Sequence, residues 1–163
     1  LALIAEVRQD HDSIGGIIEI RVQHGPIGLG EPVFDKLHAD LAKGLFSIPA
    51  VKGVEFGRGF DVANMRGSQN NDTPGKTNNA GGILGGISNG EDMVIRVAIK
   101  PASSIGKEQV AKKKEGGEVV VQIGGRHDAC IVPRAIPVAE SMVALVLADH
   151  LLRQRAIQEF ANT

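Results

Sequence analysis

The stretch from Met93 to Lys100 constrains the fold most. Met93, Ile95, Val97 and Ile99 point one way, while Arg96, Ala98 and Lys100 share the other face. A period of two belongs to a strand with one side buried and one side open. Such a strand needs a sheet with a covered face, and the chain supplies candidates for both sheet and cover. Ile18, Ile20 and Val22 alternate with Glu19, Arg21 and Gln23 over Ile17 to His24, a second half-buried strand. Val51 to Phe56 and Glu118 to Ile123 are two more, the latter with Val119, Val121 and Ile123 on one face.

Helical periods fall between these runs. Leu1 to Val7 has the character of a helix already under way. Pro32 suits the first turn of a helix, and behind it Val33, Leu37, Leu41 and Leu45 recur every four residues, so an amphipathic helix is expected to about Phe46. From Val138 to about Ile157 the chain is again helical, and Met142 to Ala148 is apolar all round, which predicts burial on most sides in a core or an oligomer. Helices and antiparallel strands alternate irregularly, giving an α+β chain with no internal repeat.

Glycine supplies the punctuation. There are 21 glycines in 163 residues, nearly twice the usual share of about 7%, and neither Trp nor Tyr occurs. With 42% apolar residues this argues for tight turns and close backbone approaches rather than disorder. Gly81 to Gly90 ends in Asn89-Gly90, the sequence of a two-residue hairpin turn, with Met93 to Lys100 as the returning strand. Lys107 to Gly117 is charged and expected to be a loop. Asp61 to Ala80 is polar and expected to be a mobile surface loop. Its Pro74-Gly75-Lys76-Thr77 is not a phosphate loop: Asn70 stands where the first glycine belongs, and no helix pattern follows Thr77.

A net charge of −1 gives no basic surface for nucleic acid. No uninterrupted apolar run reaches about 18 residues, so no membrane-crossing segment is expected. The single Cys130 has no internal disulfide partner, which fits a reducing, cytoplasmic setting. His11, His24, His38 and His150 are scattered without metal-ligand spacing, so no metal site is expected.

Three segments carry residues suited to chemistry. Lys100-Pro101-Ala102-Ser103-Ser104 joins a lysine, two hydroxyls and free backbone amides, a set that suits phosphate. Gly85-Gly86 lets a ligand lie against the backbone. Arg126-His127-Asp128 follows two glycines and adds a forked, permanent cation beside a carboxylate base. From the residues alone this is an anion-binding domain, either part of an enzyme or a non-catalytic module that binds a phosphorylated ligand or self-associates.

Several of these segments resemble chorismate synthase. They are Asp12-Ser13-Ile14-Gly15-Gly16, Gly28 to Leu37, Val51 to Glu55, Gly81 to Gly90, Lys100 to Ile105 and Gly124 to Glu140, in order from about Asp12 to Arg155. The resemblance implies a β-α-β sandwich, antiparallel strands packed on helices. It implies the last step of the shikimate pathway, a 1,4-elimination of phosphate from 5-enolpyruvylshikimate 3-phosphate to chorismate with reduced FMN and no net redox change. A homotetramer in which neighbouring subunits complete the flavin site is also implied. Carried over residue by residue, Asp128 is the catalytic aspartate that helps take a proton near the flavin. Arg126 contacts flavin and substrate, and Lys100, Pro101, Ala102, Ser103 and Ser104 hold the flavin. Gly85 lines it, and Pro49 and Ala50 match a further flavin contact. Arg134 is open between a structural ion pair and a substrate role.

Departures are visible. Ala129 stands where the family usually has Pro, and Ala102 where it has Thr, losing a hydroxyl next to the flavin. The loop Asn71 to Thr77 is shorter than the family's. The Gly-Glu-Ser-His-Gly motif, with the family's catalytic histidines and most of its substrate-binding arginines, does not occur in the 163 residues. Residues 1–163 therefore match a C-terminal portion of the family, and the chain alone is expected not to turn over substrate.

Overall fold

The computed structural model describes residues 1–161. In chain order it comprises α1 (Ala2–Gln9), β1 (Gly16–Val22), α2 (Leu37–Phe46), β2 (Val51–Phe56), a 3-10 turn (Gly59–Asn64), α3 (Gly67–Asn70), β3 (Ile83–Leu84), β4 (Ile87–Ser88), β5 (Met93–Ile99), β6 (Gln109–Lys112), β7 (Glu118–Val121) and α4 (Val132–Ala161). The alternating stretch Met93–Ile99 is the middle strand of an antiparallel sheet ordered β1-β5-β2. Ile18 pairs with Val97 and Ile20 with Ile95 on one side, Val54 with Val97 and Phe56 with Ile95 on the other. One sheet face is thus a continuous apolar surface. Helices α2 and α4 lie on it, and Leu37, Leu41 and Leu45 join Met93, Ile95 and Val97 as fully buried side chains. At ~25 cal/mol per Å² of apolar surface, such burial is the main stabilising term.

Helix α2 begins at Leu37, four residues later than its period of four suggests. The Leu37 amide donates to the Gly86 carbonyl at 2.8 Å, so the first turn is tied to the β3–β4 hairpin instead of continuing upstream, and Val33 is left 69% exposed. Helix α4 begins at Val132, six residues earlier than expected. Pro133 lies in the first turn, where its missing N–H costs nothing. The helix passes through Pro137 because Val132, Ala135 and Ala139 pack on the core and hold that turn in place. Farther along, α4 is less buried than its composition implied. Ala139 and Val143 are buried, but Leu145 is 65% exposed. The helix is also long and apolar enough to cross a membrane by length and composition, a test that the core helix of a soluble protein passes as well. Glu140, Ser141 and Asp149 interrupt the apolar run, but an 18-residue window of the helix still has a mean hydropathy of 1.6.

Two turns differ from expectation. The two-residue hairpin turn is Gly85-Gly86, joining β3 to β4, with φ of 62° and 96° at the two glycines. Asn89-Gly90 forms a separate bend, in which the Asn89 side chain accepts from the Glu91 amide at 3.0 Å. β5 accordingly pairs with β1 and β2 and not with β4. Lys107 to Gly117 is not all loop, because Gln109–Lys112 pairs with Glu118–Val121. An exposed two-stranded ribbon needs no buried face, so its lysines hid the strand.

The segment 61–80 contains the 3-10 turn's end and α3. The Asp72 carboxylate accepts from the Asn79 amide at 2.6 Å and the Ala80 amide at 2.9 Å. Desolvation pushes its pKa up, but those amides and the Thr77 hydroxyl outweigh it and hold the group below the usual carboxylate range.

Candidate active site

The site lies where β5 leaves the sheet. Ile99 pairs with Gly16 of β1 and Val51 of β2, and the chain then turns through Lys100-Pro101-Ala102-Ser103-Ser104. Gly15 is needed at this edge, since a Cβ there would meet the Ile99 carbonyl and the Pro101 ring. The Lys100 amide donates to the Ala50 carbonyl at 2.9 Å, which brings Pro49-Ala50 beside the loop. Ala50 has φ of 72°, a left-handed conformation that costs a residue with a Cβ about 1 kcal/mol. On the other side the Ser13 hydroxyl donates to the Ala102 carbonyl at 2.6 Å.

The Arg126-His127-Asp128 segment reaches the same place from β7. The His127 ring bridges Ser104 Oγ at 3.0 Å and the Ile123 carbonyl at 2.9 Å. The Ile14 amide donates to the Ala129 carbonyl at 2.8 Å, fastening the segment to the turn before β1. Asp128 is paired with Arg134, in the first turn of α4, at 3.0 Å. This is the structural ion pair that the sequence left open for Arg134. Arg126 is exposed and makes no ion pair among the described residues. With Arg8, His11, Asp12, Gly106, Gly125, His127 and Ala129 it borders a cavity of about 280 Å³. Asp12 adds little negative charge there, because Lys107 pairs with it at 3.0 Å. The Ser13 amide, then Lys107, hold the Asp12 carboxyl below its ordinary range.

Lys100, Ser103, Ser104, Arg126 and Asp128 therefore share one end of the sheet with Pro49 and Ala50. Lys100 Nζ donates to Ser103 Oγ at 2.7 Å, so the loop's cation and one hydroxyl act together. Gly85 does not join them within this chain. Its hairpin hangs from the opposite end of β5: Val94 bonds to Gly81 and Gly57 near Met93, whereas Lys100 follows Ile99. Ser13 was not singled out as a site residue, and His127 stood out only as a member of the Arg126-His127-Asp128 segment, without a role of its own. Ser13 and Ala102 lie 89 positions apart, and no local pattern announces such a contact. Among the described residues no group of His, Cys, Asp and Glu could hold a metal ion.

The family model for chorismate synthase matches residues 1–152. The chain belongs to the chorismate synthase family. It is 55% identical to the chorismate synthase of Chloroflexus aggregans over 93% of this chain and 44% of that protein. Against the chorismate synthase of Prochlorococcus marinus strain MIT 9211 identity is 56%, over the same shares. A crystal structure of chorismate synthase superposes with a TM-score of 0.75 at 34% identity, covering 94% of this chain and 41% of that one. The α+β arrangement is thus part of the chorismate synthase fold, and the chain spans less than half the length of the relatives it matches.

Proposed function

We propose that this chain supplies the flavin side of a chorismate synthase active site. The reaction is the elimination of phosphate and a ring proton from 5-enolpyruvylshikimate 3-phosphate. One C–O bond and one C–H bond break, a C=C bond forms, phosphate leaves with the C–O electron pair, and no net oxidation occurs. What supports this most is the meeting, at one sheet end, of a Lys–Ser–Ser loop and a segment bearing an exposed Arg126 beside Asp128.

The donor set fits a phosphorylated flavin. Lys100 and the Ser103 hydroxyl suit its phosphate, Pro101 is exposed beside them, and Pro49 and Ala50 lie against the same loop. Held by these residues, reduced FMN would supply transient electron density to the substrate with no net redox change. Arg126 offsets negative charge as phosphate departs. Asp128, oriented by its pair with Arg134, accepts the proton. Gly85 fits this reading only as a wall supplied by a neighbouring subunit, consistent with a homotetramer. A cytoplasmic setting belongs to the same proposal.

The test compares this 163-residue chain with a chain of the relatives' full length carrying the same residues. Each is given reduced FMN and 5-enolpyruvylshikimate 3-phosphate anaerobically, and chorismate is measured. The long chain is expected to form chorismate and the short one to form none. Chorismate from neither, with phosphorylated ligands still bound, would favour a non-catalytic binding module.

A further inference from the structure

The two neighbouring serines of the Lys100–Ser104 loop are wired in opposite directions, and His127 is the reason. The His127 ring is half-buried with both nitrogens engaged. The Ile123 carbonyl at 2.9 Å can only accept, so Nε2 must carry a hydrogen. In the neutral imidazole Nδ1 is then a bare acceptor, and the Ser104 hydroxyl at 3.0 Å has to donate to it. Ser104's one proton is therefore turned inward, leaving lone pairs on its open side. Ser103 is the reverse. Its oxygen accepts from Lys100 Nζ at 2.7 Å, so its own proton is free to point outward.

We propose that His127 is a positioning residue that makes Ser104 a hydrogen-bond acceptor toward ligand, while Ser103, with Lys100, is the loop's anion donor. This rests on the flavin-side reading and sharpens it. An anionic oxygen is matched by Ser103 and repelled by the lone pairs of Ser104, which instead suits a ligand O–H or N–H such as a ribityl hydroxyl. Two adjacent hydroxyls with opposite polarity orient a ligand that has a phosphate at one end and hydroxyls beside it. A loop of two equivalent donors would not.

The test has two arms on the 163-residue chain. In the first, ¹⁵N NMR of the histidine rings reads the tautomer. His127 is expected as the neutral Nε2–H form, with its Nδ1 resonance displaced by Ser104→Ala and untouched by Ser103→Ala. An Nδ1–H tautomer, or no response to Ser104→Ala, would overturn the proposal. In the second, inorganic phosphate and FMN are titrated. Ser103→Ala should weaken phosphate about fivefold, the net worth of one hydrogen bond, and Ser104→Ala should change it less than about twofold. Ser104→Ala should weaken FMN, as should His127→Ala, whereas His127→Asn, whose Oδ1 can take the place of Nδ1, should recover most of the affinity. Equal phosphate losses from the two serine variants would also overturn it. Failure of the parent chain to bind either ligand would count against the flavin-side reading, and the tautomer would still decide the wiring.

Discussion

Strand β5 and the hairpin β6–β7 are both written in alternating or continuous β-branched residues, yet they end in opposite environments. Ile95 and Val97 on β5 are 0% exposed, while Val120 on β7 is 60% exposed. β5 has a strand on each side and two helices on its inner face, whereas β7 pairs only with β6. The pattern of side chains declares a strand, but burial depends on what the rest of the fold brings to it. The packed half of the chain is a platform. The exposed half, from Lys100 through Asp128, carries the candidate site on that platform's edge, as loops on rigid scaffolds commonly do.

The comparison is broken most readily at its core. Ile95→Ala should cost about 3 kcal/mol of stability, measured by denaturant unfolding, because the lost side chain leaves a cavity between sheet and helices. The matched Val120→Ala should change stability by less than about 0.5 kcal/mol. Similar losses at both positions would mean that the hairpin is as much core as β5. A smaller effect lies at the junction of the two halves. Ala50→Gly should stabilise by about 1 kcal/mol through relief of its left-handed backbone, read as a raised melting temperature.

The smallest effect is electrostatic. Asp12 has a depressed pKa in the folded chain, so its contribution is complete above the ordinary carboxylate range and is lost as pH falls through the lowered value. Lys107→Ala should move the Asp12 titration upward toward its ordinary position, observable by NMR, with little change in stability at neutral pH because the pair is exposed. An unmoved titration would remove Lys107 as a cause and leave the Ser13 amide.

Much of the platform was legible in the residues. β1 and β5 and the buried triad Leu37, Leu41 and Leu45 follow from periods of two and four, and β2 from the run Val51 to Phe56. Boundaries were harder wherever a tertiary bond decided them. The start of α2 is set by Gly86, 49 positions away, and the start of α4 by packing that carries the helix through Pro137. The true hairpin turn lost to Asn89-Gly90 because that dipeptide is the stronger local signal, while Gly85-Gly86 satisfies the same positive φ values. In the site, Lys100–Ser104 and Arg126–Asp128 stood out by composition. What joins them, the hydrogen bond between the His127 ring and Ser104, did not, because hydrogen bonds across the fold leave no periodic trace.

The most direct measurement of the central claim is turnover of Asp128→Asn in a chain of the relatives' full length. Chorismate formation should fall by about 10²- to 10⁴-fold, the usual contribution of a general base, with FMN affinity nearly unchanged. Turnover equal to the parent's would remove Asp128 from the chemistry and contradict the account.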